Sequence, residues 1–118
     1  MEIDQVGKFQ DKGGYWEGNP DSMGGAILSI ETENVSDKQV ALAQGVCKGW
    51  AGKIEIALQY IESVREEYKL EAQTFNNPNA FINSDSEWSI YFDTESEAEA
   101  VVGVEFSGDA PFQLAIGD

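Results

Sequence analysis

The chain has 118 residues, 42% of them hydrophobic and 11% aromatic. That suffices for one domain with a real core, residues 1–118, and is too apolar for a disordered chain. Its 22 acidic and 7 basic residues give a formal net charge of −15, and it has no histidine. The charge disfavours nucleic acid and anionic membranes as direct partners, since both attract lysine and arginine. Without histidine there is no usual general base, no usual zinc ligand and no serine–histidine or cysteine–histidine dyad.

Residues 1–35 read as a β unit. Val6–Gln10 is a short strand, Asp11-Lys12-Gly13-Gly14 a turn, and Tyr15-Trp16-Glu17-Gly18 the returning strand. Asn19–Gly25 is loop in composition. Ala26–Thr32 is a better strand, with Ala26, Leu28 and Ile30 on one face. The start, Met-Glu-Ile-Asp-Gln, has neither the basic residues nor the apolar stretch of a secretory signal, and no apolar run is long enough to span a membrane. The cytoplasm is the expected location.

Val35–Leu70 is the one long helical pattern. Ser36 is a good N-cap, and Gln39 completes a capping box. Val35 and Val40 are spaced as a hydrophobic staple, and Asp37 suits the positive end of the helix dipole. Val40, Ala43, Cys47, Trp50, Ile54, Ala57, Ile61, Val64 and Tyr68 then form one apolar stripe. An unbroken helix would run about 50 Å, long for a domain whose expected radius of gyration is about 13 Å. Gly45, Gly49 and Gly52 each cost about 1 kcal/mol inside a helix, so a break near Gly49–Gly52 is expected. The alternative is that Ala41, Gly45, Gly49 and Gly52 make a small-residue groove for a close neighbour. Cys47 lies on the apolar stripe and reads as a buried free thiol.

Glu71–Glu87 reads mostly as connection, with Asn76-Asn77-Pro78-Asn79 and Asn83-Ser84-Asp85-Ser86 as loop and Ala80-Phe81-Ile82 as a small apolar anchor. Three alternating strands close the chain, with Trp88, Ile90 and Phe92 on one face of the first. Val102, Val104 and Phe106 share a face of the second, and Phe112, Leu114 and Ile116 a face of the third. Gly108-Asp109-Ala110-Pro111 turns between the last two. Asp93–Ala100 either extends a long hairpin or forms a mobile acidic loop. The expected fold is α+β: an antiparallel β-sheet, one face on the core, packed against one long kinked helix or a helix pair.

Charge is uneven along the chain. Residues 73–118 hold 9 acids and no base, while residues 36–72 hold 6 acids and 5 bases. Asp93, Glu95, Glu97 and Glu99 alternate, as a ladder on one strand face would, and Asn83, Asp85 and Glu87 share that spacing. Neither stretch has the glycine and distal glutamate of a helix-loop-helix calcium site. No metal, cofactor or catalytic residue is expected. The ladder, joined by Glu105 and Asp109 from the neighbouring strand and turn, reads instead as a surface for a basic protein, with Tyr91 or Trp16 as anchor and Tyr15 a further exposed aromatic.

Three stretches together carry a resemblance: Tyr15-Trp16-Glu17-Gly18, the helix opening Val35–Gln44, and Val101-Val102-Gly103-Val104-Glu105-Phe106 followed by Gly108-Asp109-Ala110-Pro111. Over most of its length the chain resembles small acidic bacterial domains, some encoded beside polymorphic toxins and regarded as immunity proteins. The resemblance implies a protein that binds and blocks a cognate toxin in the cytoplasm. It carries over no catalytic residue. A homo-oligomeric structural or adaptor domain, joined through the glycine face or an open sheet edge, is the alternative. The sequence leaves the oligomeric state open.

Overall fold

The computed structural model describes residues 1–117. It holds eight strands and two helices: β1 (Glu2–Ile3), β2 (Gly7–Asp11), β3 (Trp16–Gly18), β4 (Leu28–Ile30), α1 (Asp37–Lys48), α2 (Trp50–Tyr68), β5 (Phe75–Ile82), β6 (Glu87–Thr94), β7 (Val101–Ser107) and β8 (Ala110–Gly117). A single 3₁₀ turn, Asp21–Met23, precedes β4. The strands lie side by side in chain order in one sheet. Every neighbouring pair is antiparallel except β4 and β5, which are parallel. A parallel pair needs a long crossover, and here both helices supply it.

The capping box at Ser36 forms as the sequence predicts. The Gln39 amide donates to Ser36 Oγ at 3.1 Å, and the Ser36 amide donates to Gln39 Oε1 at 3.0 Å. Ser36 Oγ also donates to Asp85 Oδ1 at 2.6 Å, tying the helix start to the β5–β6 turn. The expected break falls on Gly49, whose φ of −107° and ψ of 24° leave helical geometry. Hydrogen bonding nonetheless continues through it, from Gly49 N–H to Gly45 O and from Lys53 N–H to Gly49 O. An added Cβ at Gly45 or Gly52 would meet nothing within 4 Å, so among the described residues none packs into the small-residue groove at these two positions.

The inner face of the sheet is read in cross-strand rows. Trp16, Ile30, Ile82, Trp88, Phe106 and Pro111 form one, and Leu28, Ala80, Ile90, Val104 and Leu114 the next. Ala43, Val46, Cys47, Trp50, Ala57 and Ile61 of the helices close over these rows in one buried cluster. Trp88 stacks on Phe106 with ring centroids 4.2 Å apart, and its Nε1 donates to Gly108 O at 2.8 Å. Cys47 is a buried free thiol, and burial raises its pKa.

Three expectations are corrected. The connection before β6 contains an eight-residue strand, β5. A bulge hides it: the register shifts between Asn76 and Asn79, and Asn77 takes a left-handed φ of 52°. Asparagine tolerates that conformation, and a side chain two residues on supplies a bond to the adjoining strand. Asn79 Oδ1 accepts from Ile27 N–H at 2.8 Å. Second, the sheet is larger than expected and not wholly antiparallel. Third, Phe112 does not continue the face of Leu114. A bulge sets Gln113 opposite Glu105 and Pro111 opposite Phe106, leaving Phe112 between them and 44% exposed.

Candidate interaction surface

Both helices pack on the inner face, so the other face of the sheet lies toward solvent. Alternation places every second residue of each strand there. One row crosses seven strands: Gln10, Glu17, Ser29, Phe81, Ser89, Glu105 and Gln113. The next row holds Asn79, Tyr91, Gly103 and Ala115. Ser29 and Ser89 are buried beneath their larger neighbours. Phe81 and Tyr91 meet edge to face at the centre, with centroids 5.4 Å apart and planes at 80°.

Tyr91 lies flat over Gly103. An added Cβ at Gly103 would stand 2.8 Å from the tyrosine ring, so only glycine admits this close approach. Burial, and then the nearby charge of Glu105, hold the Tyr91 hydroxyl protonated by raising its pKa. A shallow cleft of about 300 Å³ opens beside the rings, lined by Glu31, Phe81, Asn83 and Tyr91. Glu31, Glu87, Asp93 and Glu105 surround this centre. No lysine or arginine falls anywhere in β4 to β8.

The structure brings Tyr91, Asp93 and Glu105 together on this outer face, as the sequence predicts. Asp93 Oδ2 accepts from Asn77 Nδ2 at 3.2 Å, and Glu105 Oε1 accepts from Gln113 Nε2. Glu97 is exposed in the β6–β7 turn. The other members of the expected ladder point elsewhere. Glu95 accepts from the Gln73 and Thr74 amides at 2.9–3.0 Å and from Thr74 Oγ1 at 3.2 Å. The Thr74 amide, then the Gln73 amide, pull its pKa down to about 2. Glu99 is buried, and its Oε1 accepts from the Glu71 amide at 2.9 Å and the Ala72 amide at 2.8 Å. These two carboxylates clamp the α2–β5 connection, and Arg65 Nη1 holds its other side by donating to Ala72 O at 2.7 Å. The single outward ladder is therefore corrected, because the strand ends at Thr94 and the turn after it folds back.

Trp16 lies on the inner side, half-buried against the core, with Nε1 donating to Glu33 O at 3.0 Å. Phe81 and Glu31 were missed as site residues. The sequence around Phe81 has loop composition, and only its register opposite Ser29 and Ser89 brings it to the outer face. Among the described residues no three of His, Cys, Asp and Glu gather as a metal site, and no helix is long and apolar enough to cross a membrane. Comparison of the chain with family models, with curated proteins and with solved structures finds no match.

Proposed function

We propose that this chain is an acidic, non-catalytic immunity-type protein of a bacterial cytoplasm. It binds a basic toxin through its outer sheet face and inhibits it by lying over the active site. A nuclease is the toxin class that fits best, because a groove built for phosphates is basic and attracts carboxylates. The observation that carries this reading is the outer face itself. An aromatic pair is centred there, and the charges around it on β4 to β8 are all negative. Aromatic side chains supply interface anchors, and the acidic rim steers association and sets its salt dependence. Glu97, in the neighbouring turn, adds to the field.

The test is capture of partners from the source cell at low salt, followed by elution with high salt. A basic protein released by salt, whose toxicity the chain suppresses, supports the reading. Replacing Glu31, Asp93 and Glu105 by lysine then weakens binding by orders of magnitude while the thermal transition persists. Unchanged affinity in that variant refutes electrostatic occlusion.

A second reading, the homo-oligomeric structural or adaptor domain, is favoured by β8. This edge strand of eight residues carries no charge and exposes Ile116 at 43%. Such edges invite pairing. The Tyr68 hydroxyl accepts from the Leu114 amide at 3.1 Å and so occupies one edge donor. A concentration-dependent mass in light scattering, abolished by Ile116→Lys, decides for it.

A further inference from the structure

The outer-face cleft has more definite chemistry than a negative surface. Two of its lining residues are aromatic rings set nearly perpendicular, the third is the carboxylate of Glu31, and the fourth is the amide of Asn83. Asn83 Nδ2 donates to Ser89 Oγ at 3.2 Å, which fixes the amide orientation and leaves Oδ1 as an acceptor. Among the described residues, no ion pair engages Glu31, and no hydrogen bond engages its carboxylate, Asn83 Oδ1 or the Tyr91 hydroxyl. The other acid beside the rings, Glu105, is already held by Gln113. The cleft thus offers π surface and two open acceptor groups, with no cation of its own chain in them.

Those features suit a guanidinium better than an ammonium. A guanidinium is planar and weakly hydrated. It stacks on a ring while its five N–H donors, directed outward in its own plane, reach acceptors at the ring's margin. An ammonium is a compact, strongly hydrated point charge, which can sit over a ring but cannot stack flat on it and gains less from it. The geometry points to an arginine side chain of the basic partner as the occupant of this cleft. It stacks on Tyr91, whose ring lies flat over Gly103, and Glu31 and Asn83 accept its N–H groups. This inference rests on the basic-partner reading and adds which basic residue is recognised, and where.

The test compares capped hexa-arginine and hexa-lysine peptides, titrated into the intact protein at low salt and followed by backbone amide shifts. Equal charge makes the two peptides equivalent for steering alone. The cleft predicts about three- to tenfold tighter binding of the arginine peptide, the size of one cation–π contact. The largest shifts fall at Glu31, Phe81, Asn83 and Tyr91. Glu31→Gln, at an exposed position without internal partners, removes the preference. Glu97→Gln removes the same charge from the β6–β7 turn and weakens both peptides equally. Tyr91→Leu removes the preference as well, and Tyr91→Phe keeps it. Equal affinities, with shifts spread over all the acids, overturn the arginine seat and leave the basic-partner reading standing. Failure of both peptides to bind overturns both.

Discussion

Replacing Glu99 by alanine tests whether a residue that looks like surface charge holds the fold together. Its Oε1 accepts from the Glu71 amide at 2.9 Å and the Ala72 amide at 2.8 Å. Ala72 is 0% exposed and Glu99 only 8%. Alanine strands the buried Ala72 amide, at about 1–3 kcal/mol, whereas the Glu71 amide rehydrates and loses about 1 kcal/mol, so the total is about 2–4 kcal/mol. Glutamine keeps an Oε1 that can accept both bonds and loses only charge assistance, about 1 kcal/mol. Urea unfolding at neutral pH measures both variants, with an unchanged slope expected. The reasoning is refuted if alanine costs under about 0.5 kcal/mol, or if glutamine costs as much as alanine.

The remaining predictions concern the clamp, the aromatic centre and the end of α2. Glu95 has a pKa lowered to about 2 from 4.5, so its contribution is fully present above the unfolded value and is lost as pH falls through about 2. The stability difference between wild type and Glu95→Gln therefore shrinks between about pH 5 and pH 2; a difference that stays constant in urea midpoints over that range refutes the clamp. Gly103→Ala drives a Cβ into the Tyr91 ring and destabilises by about 1–2 kcal/mol, through overpacking and loss of the Phe81 edge contact. In a Tyr91→Ala background the same change costs close to nothing, and additive effects in the four-protein cycle would sink the argument. Lys69 ends α2 with a left-handed φ of 56°. Lys69→Gly should stabilise by about 0.5–1 kcal/mol, the left-handed penalty less the glycine entropy, which a rise in melting temperature reports.

Local rules made part of this fold legible. The Ser36–Gln39 capping box, the break at Gly49 and the alternation of Trp88, Ile90 and Phe92 are determined within a few residues of chain, and each appears in place. What was hidden depends on distant partners. β5 reads as loop because Asn76, Asn77, Pro78 and Asn79 form a bulge, whose stability comes from Ile27, far away in the chain, and from Asp93. Its parallel place beside β4 follows from the helical crossover and leaves no local mark. The same limit governs the candidate surface. Alternating acids from Asp93 to Glu99 imply one face only if the strand continues, and it stops at Thr94. Tyr91 and Glu105 were legible because both sit within regular strands. Phe81 was not, because its strand was not.

The contrast between the two faces of this sheet argues for a binding role over a merely solvated surface. The inner rows are almost wholly apolar, and a single layer of helix closes them. A face meant only for water is best served by mixed charges, which interact favourably and keep the surface soluble. Here the flanking helices use both signs, so the chain does not avoid lysine in general: α1 and α2 contain Lys38, Lys48, Lys53 and Arg65. The exclusion of base begins after Lys69, where the chain leaves the helices for β5 and the strands that form most of the outer face. Those carboxylates repel one another and weaken the native state, a cost that a cationic partner reverses. The same face sets two half-buried aromatic rings at its centre and reserves Gly103 so that one ring can lie flat. Solubility accounts for the acids but not for the rings. Packing accounts for the rings but not for the absence of lysine and arginine from the five strands β4 to β8, while the bases of this face, Lys8 and Lys12, stay at β2 and its turn, Lys12 paired with Glu17. The basic partner proposed above, with a flat cationic group, would account for both.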